Sequence, residues 1–131
     1  MIFVDTSVWI DFLAGRETKE VASLIEAMER EESIGYTGLV IQELFQGIQS
    51  PKNRDQIESS FEPFIELFPN RESYKLAAKL FRDSRAKGHP IRSSIDCLIA
   101  ACCIEHGLEL LHNDRDFEYL TKISKLKVLL S

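Results

Sequence analysis

Long apolar runs are missing from this 131-residue chain. The longest stretch without a charged residue covers positions 33–42, about half of the roughly 20 apolar residues that a membrane-spanning helix needs. No membrane partner is expected. Cysteine is scarce, with three in all, crowded at Cys97, Cys102 and Cys103. An odd count so closely spaced suits core thiols in a reducing compartment better than a disulfide framework. Four prolines and six glycines are too few for a collagen-like or low-complexity chain, and 44% hydrophobic residues exclude disorder. Positive charge is in the minority: 16 Lys and Arg against 21 Asp and Glu leave a net charge of −5. That is the wrong sign for a protein that grips nucleic acid through phosphates alone, unless several acids share a cation that reverses the local sign. The opening Met-Ile-Phe-Val-Asp carries no basic leader, and Asp5 and Asp11 stand where a signal peptide would be apolar. A cytoplasmic location is expected.

The length fits one domain over residues 1–131. Apolar periodicity alternates between strand and helix along it. Residues 2–4 read as a strand, and Val8, Trp9, Phe12 and Leu13 fall at helical spacing. Helical spacing recurs over 18–29, a second strand over 33–36, and a helix over 39–49 that Pro51 ends. Residues 53–61 read as a helix and 64–67 as a third strand. Asn70 then caps a long helix that runs to Lys87 and is stopped by Gly88 and Pro90. Ser93 or Ser94 caps a helix over 96–105, with Gly107 as its C-terminal stop. A strand over 108–111, a turn over 113–116 and a last strand near Val128 complete the pattern. Strands separated by helices imply parallel pairing through right-handed crossovers, hence an α/β fold with helices on both faces of a sheet.

In such sheets ligands bind beyond the carboxyl ends of the strands. Asp5 ends the first strand, and Asp114 follows the strand over 108–111 after two intervening residues. Asp96 opens a helix that should start at the same edge, and Glu43 can reach that edge from the helix after the second strand. Each acid alone is explained by capping or by the helix dipole. Their conjunction is not: two unit charges 4 Å apart repel by about 4 kcal/mol at an effective dielectric of 20. The usual compensation is a hard divalent cation, Mg²⁺ or Mn²⁺, whose open positions accept a phosphate oxygen and a water.

Four strings carry a resemblance. Asp5-Thr6-Ser7-Val8-Trp9-Ile10-Asp11, Val40-Ile41-Gln42-Glu43-Leu44, Ser94-Ile95-Asp96-Cys97-Leu98-Ile99-Ala100-Ala101 and His112-Asn113-Asp114-Arg115-Asp116-Phe117 closely resemble, in order and over the full chain, a PIN-domain ribonuclease of the VapC toxin type. The resemblance implies a three-layer α/β/α sandwich with a mainly parallel sheet of four to five strands. It also implies a Mg²⁺- or Mn²⁺-dependent endoribonuclease, dimeric, held inactive by a co-expressed antitoxin. By motif matching, Asp5, Glu43, Asp96 and Asp114 carry the acidic site. Thr6 and Ser7 are supporting candidates; Ser7 would hold the first carboxylate or cap the first helix. Asp116 suits the site or the cap of a short helix, with the cap favoured. Hydrolysis of this type leaves a 3′-hydroxyl and a 5′-phosphate.

Other sites and functions fit less well. Cys102, Cys103 and His106 lack the second ligand pair of a zinc site, and Trp9, Phe12 and Phe81 read as packing. A response-regulator receiver would need a strand before Asp55, and a haloacid-dehalogenase-like phosphatase an acid where Ser7 stands. The remaining alternatives are a non-cleaving RNA- or protein-binding module and a housekeeping RNA-maturation nuclease. Residues 75–92 hold six basic residues against one acid, Asp83. Arg82, Arg85 and Arg92 are the candidates there for carrying RNA phosphates toward the acidic edge, with an ordinary solvated helix face as the alternative.

Overall fold

The computed structural model describes residues 1–130. Five strands form one parallel sheet in the order β3-β2-β1-β4-β5: β1 (Ile2–Val4), β2 (Ile34–Tyr36), β3 (Ile65–Glu66), β4 (Glu109–Leu111) and β5 (Lys127–Val128). Between them run α1 (Thr6–Leu13), α2 (Lys19–Glu29), α3 (Gly38–Gly47), α4 (Pro51–Ser60), α5 (Arg71–Ala86), α6 (Ser94–His106) and α7 (Arg115–Ile123). The chain steps outward from β1 to β2 and β3, then returns to the other side of β1 for β4 and β5. Right-handed crossovers in opposite directions place their helices on opposite faces. The packing agrees, since α1 contacts α2 and α3 whereas α5 contacts α6 and α7. The expected α/β/α sandwich is present.

The core follows from this layering. Phe3, Val4, Leu110 and Leu111 on the two central strands are fully buried, as strands covered on both faces must be. Helix α6 is almost without an exposed stripe: Cys97, Ile99, Ala100, Ala101, Cys102 and Cys103 are all inside. Such a helix is held by packing on every side. The three thiols are unpaired, and burial pushes those of Cys97 and Cys102 up to about 11, as expected of inert core cysteines. On the other face Trp9 is buried against Phe61 and Phe64, with ring centroids 4.9 and 5.6 Å away. That is packing, not a stacking platform.

The structure differs from the sequence reading at several element ends. Helix α1 begins at Thr6 and its N-cap is Asp5, not Ser7. Pro51 does not end α3, which stops at Gly47; it is the first residue of α4, where its missing N–H costs nothing. The turn over 113–116 opens α7, whose N-cap is Asp114 rather than Asp116. Strand β3 is shorter than the expected 64–67, pairing only as Gly35 with Ile65 and Tyr36 with Glu66.

Candidate active site at the sheet's switch point

Strand order reverses between β1 and β4, which are direct neighbours paired from Ile2–Glu109 to Val4–Leu111. The crevice beyond their carboxyl ends is where this architecture places ligands. Asp5 leaves β1 there, His112 to Asp114 leave β4 there, and α6 starts there with Asp96 in its first turn.

Carboxylate oxygens of Asp96, Asp114 and Asp116 lie within 4.8 Å of one another. Asp116 therefore joins the cluster from the first turn of α7, where it is buried. Asp114 is both a cluster member and a cap, since its Oδ1 accepts from the Asp116 N–H at 2.9 Å. Asp5 is also buried, and its Oδ2 accepts from the Ser7 N–H at 3.1 Å and the Ser7 hydroxyl at 2.6 Å. Ser7 thus holds the first carboxylate. Its Oγ also accepts from the Asn113 N–H at 3.1 Å, tying the end of β1 to the loop after β4. Glu43 is oriented by the Thr6 hydroxyl, which donates to Oε1 at 2.9 Å.

The electrostatics link all five acids. Burial pushes Asp96 up to about 7, and the charges of Asp5, Asp114, Glu43 and Asp116 act in the same direction. Burial likewise raises Asp5, against the opposing hydrogen bonds from Ser7. It raises Glu43 too, with a further push from the charge of Asp5. Carboxylates gathered at this cost, all offering oxygen, fit a hard divalent cation rather than a soft one.

Several contacts are not legible in the sequence. Arg92 lies against the cluster: Nε donates to Asp116 Oδ2 at 3.3 Å and Nη2 to Asp114 Oδ1 at 3.4 Å. Asp11 accepts from Arg16 at 2.6 Å and from the Asn113 amide at 2.9 Å, and the first of these holds its carboxyl below the usual range. This bracing fixes the loop after β4. His112 is buried, with Nδ1 accepting from the Asp114 N–H at 3.1 Å and Nε2 lying 3.2 Å from Glu118 Oε1. Both contacts are satisfied by the neutral ring with its proton on Nε2, so His112 is a strut of the loop. A charged partner one turn into a helix is the only sequence signal for it.

The basic stretch is less free than its charge suggests. Lys79 pairs with Asp83 at 2.7 Å and Lys75 with Glu72 at 3.7 Å. Arg82 and Arg85 are exposed on α5. Arg82 borders an apolar groove of about 440 Å³ with Tyr74, Phe81, Ser94 and Ile95, which leads to the start of α6. Among the described residues no metal-ligand group forms around Cys102, Cys103 and His106; His106 Nδ1 instead sits 2.9 Å from the Cys102 carbonyl.

Comparison with known proteins gives concordant results. A family model described as PIN domain matches residues 2–123. Ribonuclease VapC11 of Mycobacterium tuberculosis strain H37Rv is 29% identical over 135 residues, covering 97% of this chain and 96% of the relative. The protein called VapC ribonuclease Mb1587, of Mycobacterium bovis, matches with the same figures. Two similar folds among solved structures are those of VapBC-1 from nontypeable Haemophilus influenzae and VapBC2 from Rickettsia felis bound to a promoter DNA fragment. The first has a TM-score of 0.74 and 23% identity, covering 98% of this chain and 96% of the other. The second has 0.73 and 19%, covering 98% and 97%.

Proposed function

Because the chain belongs to the PIN domain family, we propose that it is an endoribonuclease that hydrolyses RNA phosphodiester bonds at the β1/β4 edge. The observation that carries this reading is the meeting of Asp96, Asp114 and Asp116 within 4.8 Å at the sheet's switch point, with Asp5 and Glu43 near enough to raise Asp96 further. Relatives named VapC ribonuclease support the activity, and the VapBC structures support the assignment as the toxin of a toxin–antitoxin pair, silenced by a cognate antitoxin. A set of acids this complete argues against a module that has lost cleavage.

Asp96 and Asp114, with Asp5, Glu43 and Asp116 around them, would hold Mg²⁺ or Mn²⁺. Such an ion supplies an activated water and neutralises charge developing at phosphorus. The chain's own part is to present oxygen ligands already aimed. Ser7 fixes Asp5, Thr6 fixes Glu43, and the helix N-terminus beneath Asp114 fixes that carboxylate. Preorganised partners of this kind usually matter by 10–100-fold in affinity or activity. Phosphate reaches the edge along Arg82, Arg85 and Arg92 in this reading, and the protein acts in the cytoplasm as a two-fold dimer. Light scattering should then give about 30 kDa, twice the chain mass of 15.0 kDa; a monomer at micromolar concentration would contradict the dimer.

The experiment for the activity is to map RNA ends after brief expression. Hydrolysis at a metal site leaves 5′-phosphates and 3′-hydroxyls. Ends carrying 2′,3′-cyclic phosphate would contradict the reading, because they require attack by the neighbouring 2′-hydroxyl.

A further inference from the structure

Arg92 does something that the acids alone do not require. Its backbone N–H points at Asp116 Oδ2 at 3.5 Å, its Nε reaches the same oxygen at 3.3 Å, and its Nη2 reaches Asp114 Oδ1 at 3.4 Å. The guanidinium therefore spans two of the three clustered carboxylates. It offsets their mutual repulsion where a cation would. Yet the grip is loose. Charge-assisted N–H···O contacts usually measure about 2.7–2.9 Å, and these are longer. The fork is split between two carboxylates instead of closing on one, the side chain is 68% exposed, and Nη1 has no acceptor among the described residues. Rotation about the side-chain torsions is enough to free it. The backbone N–H would stay on Asp116, and His89, with Nε2 3.8 Å from Asp116 Oδ1 and its ring stacked 3.9 Å from Tyr119, would stay beside it. Asp116, buried in the first turn of α7, keeps its place when the guanidinium leaves.

Building on the nuclease reading above, we propose that Arg92 is a tethered counter-cation of the acidic cluster. It occupies Asp114 and Asp116 when no divalent ion is bound, yields to the ion when one enters, and then offers its freed guanidinium to the incoming RNA phosphate. Two cations on the same carboxylates repel each other, and of the two only the guanidinium is free to swing toward solvent. A planar fork of N–H donors pairs with phosphate as well as with carboxylate, and the phosphate at the site is the nearest anion it would meet. Arg92 thus couples metal entry to substrate capture.

The test is calorimetric titration of Mn²⁺, without RNA, into metal-free wild type, Arg92→Gln and Arg92→Lys, followed by RNA cleavage kinetics at saturating Mn²⁺. Arg92→Gln should bind Mn²⁺ roughly tenfold more tightly, the worth of one charge-assisted hydrogen bond no longer in competition. It should also raise KM for RNA. Arg92→Lys keeps the charge and should stay near wild type in Mn²⁺ affinity. Equal or weaker Mn²⁺ binding by Arg92→Gln would overturn the counter-cation role, a purely structural arginine having no means to tighten it. Arg92→Lys binding as tightly as Arg92→Gln would overturn its electrostatic basis. An unchanged KM would overturn the hand-over to phosphate. Failure of the nuclease reading would show separately, as wild type that cleaves no RNA whatever its affinity for Mn²⁺.

Discussion

Asp96 concentrates the chemistry of the site in one residue. Its native carboxyl titrates at about 7 against an ordinary value of 3.8, chiefly through burial. Between those values the folded chain holds a proton that the unfolded chain has shed, so stability falls as pH rises from about 4 to about 7. The metal-free protein in EDTA should therefore melt lower at pH 7.5 than at pH 5. Asp96→Asn should flatten that fall, and Mg²⁺ or Mn²⁺ should restore the wild type at pH 7.5. A melting temperature that drops as steeply in Asp96→Asn as in wild type would contradict the assignment. Asp5, Asp96 and Asp114 stand out in the sequence because each lies at or beside an element end, whereas Glu43, in the middle of α3, stands out only through its resemblance to a PIN-domain motif. The pairing of Arg92 with Asp116 is not, because it spans 24 positions and depends on how two loops approach. No local pattern encodes that.

Elements are legible where apolar spacing and end signals agree. Asn70 opens α5 with a complete capping box, its side chain accepting from the Ser73 N–H while the Ser73 hydroxyl accepts from its own. Gly107 closes α6 in the left-handed region at φ 64°. Helix α7 escapes the sequence pattern even though Phe117 and Leu120 are buried at helical spacing, because Asn113 to Asp116 reads as a turn and the turn is also a cap. Strand β3 looks longer in sequence than it is because Phe64 and Leu67 are apolar for another reason: Phe64 packs on Trp9 and Phe61, and Leu67 fills the space that a Cβ on Gly35 would contest at 3.3 Å. The cap at Gly107 gives a clean test, since nothing lies within 4 Å of a Cβ built there. Gly107→Ala should lose about 1 kcal/mol from left-handed strain alone, read as a lower denaturant midpoint with unchanged slope. An unchanged midpoint would contradict the assigned conformation.

Charge is distributed unevenly over the whole molecule. In a chain of net −5, three acids cluster at the sheet edge, while Arg82 and Arg85 are exposed on α5 and Arg92 on the loop that follows. If Arg82 and Arg85 neutralise phosphates, the double change Arg82→Ala with Arg85→Ala should weaken RNA binding. It should also flatten the salt dependence by about 0.7 in log–log slope for each single-strand phosphate that is no longer neutralised. Binding would be measured on the Asp96→Asn background so that cleavage does not interfere. Unchanged binding and slope would make the stripe a solvated helix face and move the RNA path toward Lys122, Lys125 and Lys127.

RNA hydrolysis is expected to depend on a divalent ion held by the clustered carboxylates at the β1/β4 edge. The most direct measurement is cleavage of one RNA in Mn²⁺, in Mn²⁺ with excess EDTA, and by Asp96→Asn in Mn²⁺, with a melting curve for each sample. Cleavage is expected in the first case only, with Asp96→Asn folded at least as stably as metal-free wild type because the substitution removes charge and keeps volume. Full cleavage in EDTA, or by Asp96→Asn, would contradict it.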